Sequence, residues 1–74
     1  MGIFGGNKNE TVQNTVMNWR KTAGVTQVEL AENVGVSRQT IIALERGNYI
    51  PSLLLALKIA QFFETSVEDI FTYE

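Results

Sequence analysis

The chain has 74 residues, 45% of them hydrophobic, with no cysteine and no histidine. That length holds one compact core and no second module, and a core of this size supplies only about 3–5 kcal/mol of net stability. Disulfides, thiolate metal sites and histidine-based acid–base chemistry are excluded by composition, so no catalytic residue, metal or cofactor is expected.

The formal net charge of −2 weighs mildly against a nucleic-acid partner, but the charges are graded along the chain. Lys8, Arg20 and Lys21 face only Glu10 in residues 1–25, whereas Lys58 stands against Glu64, Glu68, Asp69 and Glu74 in residues 51–74. A surface built from the earlier residues can be locally positive if the C-terminal end points away from it. The longest apolar run, Leu53 to Leu57, is too short to cross a membrane. The opening MGIFGGNKNE lacks the basic start and apolar stretch of a signal peptide. A cytoplasmic location is therefore expected.

Residues 1–9, rich in Gly and Asn, carry no periodicity and read as a flexible N-terminal arm. Val12, Val16, Trp19 and Ala23 then recur as one helical stripe, which Asn9 can cap and Gly24 can end. Thr26-Gln27-Val28-Glu29 has the form of a capping box opening a second helix over about 27–34, with Leu30, Ala31 and Val34 inward and Gly35 as its stop. Ser37 caps a third helix over about 38–46, with Ile41 and Leu44 inward and Gly47 beyond its end.

Pro51 pushes Ile50 out of the helical region, so residues 48–51 form a loop. Ser52 caps a fourth helix, Leu53 to Phe63, whose continuous apolar content predicts a place at the centre of the bundle. Ser66 and Asp69 open a short last helix with Val67, Ile70 and Phe71 inward. No strand pattern or repeat is visible. Two short helices separated only by Gly35-Val36-Ser37 must cross steeply, which is the geometry of a helix-turn-helix.

The segment TQVELAENVGVSRQTIIALERG resembles the helix-turn-helix of the phage repressor and Cro-like family. The flanking YIPSLLLALKIAQFF and TSVEDIF are similar to that family's fourth and fifth helices. The resemblance implies an all-α, compact five-helix, lambda-repressor-like domain over residues 10–74. It also implies a transcriptional regulator, a repressor in the preferred reading, that binds double-stranded DNA as a homodimer.

Under that resemblance the helix over 38–46 is the recognition helix, with Ser37, Arg38, Gln39 and Thr40 at the end that enters the major groove and Ala43 on the same face. Arg can bond guanine O6 and N7 bidentately and Gln can do so with adenine N6 and N7, so Arg38-Gln39 is a competent pair of readers. The alternative is an ordinary solvated first turn. Gln27, at the positive end of the second helix, implies a phosphate contact. Arg46, Asn48 and Tyr49 are positioned to grip the backbone, although Arg46 fits equally well as a solvated last-turn cation. Arg20 and Glu45 match positions that pair in some family members, the alternative being two independent exposed charges. Ala31 and Gly35 are read as structural.

The sequence departs from the family pattern at Glu64, where a helix-ending glycine is common, and at Ile42, Leu54 and Phe62, where polar or small residues are more frequent. Its basic residues are also sparse. A homodimer contact is expected in the C-terminal third, on Leu54, Phe62, Phe71 and Tyr73. The competing reading is a protein-interaction adaptor or antitoxin that keeps the fold and uses its apolar surface on a protein partner.

Overall fold

The computed structural model describes residues 11–74, so the arm expected over residues 1–9 and the Asn9 cap lie outside the described residues. The elements follow in the order β1 (Val12–Asn14), α1 (Val16–Ala23), α2 (Gln27–Val34), α3 (Arg38–Glu45), α4 (Leu53–Phe62), α5 (Val67–Ile70) and β2 (Phe71–Tyr73). The five helices match the expectation, but "all-α" needs correction. β1 and β2 form an antiparallel ribbon in which Val12 faces Tyr73, Gln13 faces Thr72 and Asn14 faces Phe71.

The ribbon shortens α1 at its start. Val12 falls into register with the helical stripe, yet it belongs to β1, and Ala23 at the other end of the stripe is exposed. Phe71-Thr72-Tyr73 is made of β-favouring side chains, and pairing with it satisfies the backbone of residues 11–14 better than a frayed helical turn. The helix begins at Val16, where the Asn14 Oδ1 accepts the Val16 N–H at 3.1 Å, while Thr15 makes no side-chain cap bond.

α2 starts as expected, with the Glu29 N–H donating to Thr26 Oγ1 at 3.0 Å and the Thr26 N–H donating to the Glu29 carboxylate at 2.9 Å. It ends at Gly35, whose φ of 78° only glycine adopts at little cost. α3 is capped by Ser37 and stops at Glu45, one residue before the expected Arg46, which is instead the C-cap. Leu30, Ala31 and Val34 from α2 and Ile41 and Leu44 from α3 join Val16, Leu55, Ile59, Ala60 and Ile70 in one buried core. Trp19 and Phe63, with ring centroids 6.0 Å apart, pack against it between α1 and the end of α4.

α4 is not enclosed in the way its composition predicts. Leu55, Ala56, Ile59 and Ala60 are buried, but Leu53 is 72%, Leu54 62% and Leu57 50% exposed. The helix lies along one side of the bundle with apolar residues on both of its faces.

Beyond α4, Glu64 has a φ of +57°, the left-handed region, and the Thr65 N–H closes the turn onto the Ala60 carbonyl at 2.9 Å. A side chain there costs about 1–2 kcal/mol, against about 0.5–1 kcal/mol of extra chain entropy for glycine. Glu64→Gly is therefore expected to stabilise the protein by about 0.5–1 kcal/mol and to raise Tm by about 2–8 °C. A thermal melt with an unchanged or lower midpoint would show that the turn holds Glu64 by something other than its backbone.

Candidate nucleic-acid interface

The α2–α3 pair presents the first turn of α3 to solvent. Ser37, Arg38 and Gln39 are exposed and Thr40 is half-buried. Two of these side chains are occupied locally: the Ser37 hydroxyl accepts the Thr40 N–H at 3.2 Å, and the two hydroxyl oxygens lie 3.0 Å apart. Arg38 and Gln39 make no hydrogen bond, and Arg38 no ion pair, among the described residues, so their donors are available to a ligand. Ala43, one turn further on, is half-buried.

Beside this turn a concave surface brings Lys21, Gly24, Thr26, Gln27 and Arg38 together. The first backbone N–H groups of α2 have no partner within the helix and carry its positive dipole end, and Lys21 and Arg38 line the same surface. An anion such as a phosphate fits that chemistry. The Glu29 carboxylate opposes it, because hydrogen bonds from the Thr26 backbone and side chain hold its carboxyl below the usual range and keep it ionised. Arg46, Asn48 and Tyr49 follow α3 and are all exposed, at the opposite end of the helix from Arg38.

Arg20 and Glu45 are not independent surface charges. Arg20 Nε donates to Glu45 Oε2 at 2.7 Å and an Nη donates to Oε1 at 3.0 Å, with side-chain exposures of 11% and 1%. The remaining Nη donates to the Val25 carbonyl at 3.1 Å, so one guanidinium ties α1, the α1–α2 turn and α3 together. Gln27 joins the same group, its Nε2 donating to Glu45 Oε1 at 3.1 Å. The amide of the residue singled out for phosphate is thus engaged with Glu45.

Burial pushes the Glu45 carboxyl up, but the hydrogen bonds from Arg20 and Gln27 and the charges of Arg20 and Lys21 outweigh it and hold the group below its ordinary value. A carboxyl lowered on folding adds stability that is fully present above its unfolded value, about 4.3. That stability is lost as pH falls through the folded value. The margin of the native chain over Glu45→Gln, read from urea denaturation, is expected to be constant from pH 7 to about 5 and to shrink below about 4.3. A margin independent of pH would mean that folding leaves the proton affinity of the Glu45 carboxyl unchanged.

The sequence had no signal for two of these interactions. Asn14 was hidden in what read as the first turn of a helix, yet its Nδ2 donates to the Leu44 carbonyl in α3 at 2.8 Å. The Gln27–Glu45 bond joins residues 18 apart, and no local pattern reports it.

Residues 16–70 match a family model described as Helix-turn-helix. An uncharacterized HTH-type transcriptional regulator of Methanocaldococcus jannaschii is 54% identical over 63 residues, covering 85% of this chain and 96% of that protein. The clp gene regulator ClgR from Corynebacterium glutamicum aligns with a TM-score of 0.69 and 35% identity over 73% of this chain, which spans 57% of that one. The transcriptional regulator VanUg, at 23% identity, shares the fold with a TM-score of 0.74 over 92% of this chain and 91% of its own.

Proposed function

We propose, from the premise that this chain belongs to the helix-turn-helix family of DNA-binding transcriptional regulators, that residues 10–74 act as one DNA-reading unit and repress transcription. It works in the cytoplasm as a binder, without catalysis or cofactor. Among the described residues no helix is long and apolar enough to cross a membrane.

The observation that carries this reading is the pair Arg38 and Gln39, exposed and, among the described residues, without partners at the leading end of α3. We assign base reading to these two. Ser37, Thr40 and Ala43 shape the surface that meets the groove, and the α2 N-terminus with Lys21, Arg46, Asn48 and Tyr49 serves the phosphates. Gln27 contributes to the phosphate contact through its backbone N–H, because its side-chain amide is bonded to Glu45.

One helix reads only a few base pairs, so useful specificity requires two copies on a pseudo-palindromic site, with recognition helices roughly 34–36 Å apart. Phe62 and Phe71 are half-buried against the core and leave the expected interface. Leu54 stays exposed, Leu53 and Leu57 on α4 join it in their place, and Tyr73 remains open at 72% exposure. The same apolar face supports the second reading, an adaptor or antitoxin that uses it on another protein.

Selection of bound sites from a random duplex pool, followed by salt titration and ultracentrifugation on the selected site, tests both. Repression as a dimer predicts a symmetric site, two chains per duplex and a steep fall of log K with log salt. A flat salt response with no enriched site would favour the adaptor.

A further inference from the structure

We infer that Asn14 is a positioning residue for DNA reading, fixing the tilt of α3 from its far end. The inference rests on the DNA-reading function proposed above. The last carbonyls of a helix have no partner within it, and in α3 the backbone supplies three: Arg46 N–H to the Ile42 carbonyl at 3.1 Å, Asn48 to Ala43 at 2.9 Å and Gly47 to Leu44 at 3.0 Å. The Leu44 carbonyl takes a second bond, from Asn14 Nδ2 at 2.8 Å. Among the described residues it is the one side-chain donor to an α3 carbonyl.

Both arms of the Asn14 amide are used, because its Oδ1 accepts the Val16 N–H at 3.1 Å. One side chain therefore joins the first amide of α1 to a carbonyl of α3. The next residue along, Glu45, is gripped by Arg20 from the same helix α1. Two adjacent residues of α3 are thus anchored to α1 and its approach, while among the described residues the reading end at Arg38 is held by packing, the Ser37 cap and the turn bonded to the Ala31 carbonyl.

Arg38 stands about 9 Å along α3 from Leu44, so a tilt of about 5° pivoting at Leu44 moves it by about 0.8 Å. A bidentate bond to a base edge needs donor–acceptor distances of about 2.7–3.2 Å and good alignment, and does not survive that displacement. Long side chains on phosphates do. Loss of the Asn14 bond therefore removes discrimination more than affinity.

Asn14→Asp keeps an oxygen for the Val16 N–H and sets a carboxylate near the α1 N-terminus, which helices favour, so the fold is retained. It also replaces the donor to Leu44 with a repelling oxygen. Asn14→Ala removes both arms without adding charge. Affinities of the native chain and both variants for the selected site and for random duplex, at one salt concentration, give the readout.

The expected result is a loss of about fivefold to tenfold on the selected site and of less than about twofold on random duplex. In the free Asn14→Asp protein the amides of Arg46, Gly47 and Asn48 should exchange faster while those of α4 do not. Equal losses on both duplexes, or none on either, overturn the role of Asn14, as does unchanged exchange at those amides. A native chain that prefers no site refutes the DNA reading itself, and the exchange data then still decide whether Asn14 holds α3.

Discussion

Arg20→Ala is expected to cost about 3–5 kcal/mol, which is the size of the whole net stability of a domain this small. Its guanidinium makes two bonds to a carboxylate that is 1% exposed and one to the Val25 carbonyl. Removing it strands the Glu45 charge in the bundle with Gln27 as its remaining side-chain partner. Urea denaturation followed by far-UV circular dichroism should find the variant largely unfolded in buffer at 25 °C. A loss under about 1 kcal/mol, the value for a surface pair, would show that the bond does not matter to folding. The combination Arg20→Met with Glu45→Leu separates charge from packing. Apolar replacement of a buried pair is often neutral or stabilising, so the double variant should fold where the single one does not.

Arg38→Ala is expected to leave stability nearly unchanged, because the side chain is exposed and bonded to nothing in the described chain. On the selected duplex it should lose about 1–3 kcal/mol, roughly 5- to 150-fold, and relax preference at one base position. Arg46→Ala is the contrast, since removing a cation that bonds only phosphate weakens binding to all sequences alike and lowers the salt slope by about one. If Arg38→Ala weakens selected and random duplex equally, Arg38 also touches only phosphate and the reading falls to Gln39 alone.

Local chemistry was legible from the sequence and long-range pairing was not. Thr26 and Glu29 sit three residues apart and form the capping box their spacing predicts, and the α2 bounds of Gln27–Val34 follow from that box and from Gly35. Leu30, Ala31, Val34, Ile41 and Leu44 are buried because helical periodicity reports which side a residue faces. The same periodicity misplaced Val12, since a strand of three residues is too short for alternation to show and its partner lies 61 residues away. α4 failed differently. With Leu53, Leu54, Leu55 and Leu57 all apolar, no contrast along the helix says which side is covered. At the candidate site, Arg38, Gln39 and the Arg20–Glu45 pair came from the resemblance to a known family, whereas the Asn14 and Gln27 bonds required three dimensions.

The β1–β2 ribbon also sets the order in which the molecule assembles and comes apart. The pairs Thr11–Glu74 and Thr15–Ile70 close a loop of nearly the full chain for a handful of hydrogen bonds. Loop-closure entropy makes such pairings late ones in folding, after the neighbouring helices α2 and α3 have met. The α2–α3 unit can thus form before residues 11–15 meet residues 70–74, and α1 receives its final anchorage only when that pairing closes. In the finished protein the ribbon is accordingly the first seam to open, with amide protection lowest at Thr11, Thr15 and Glu74 and highest in the buried turns of α2 and α4.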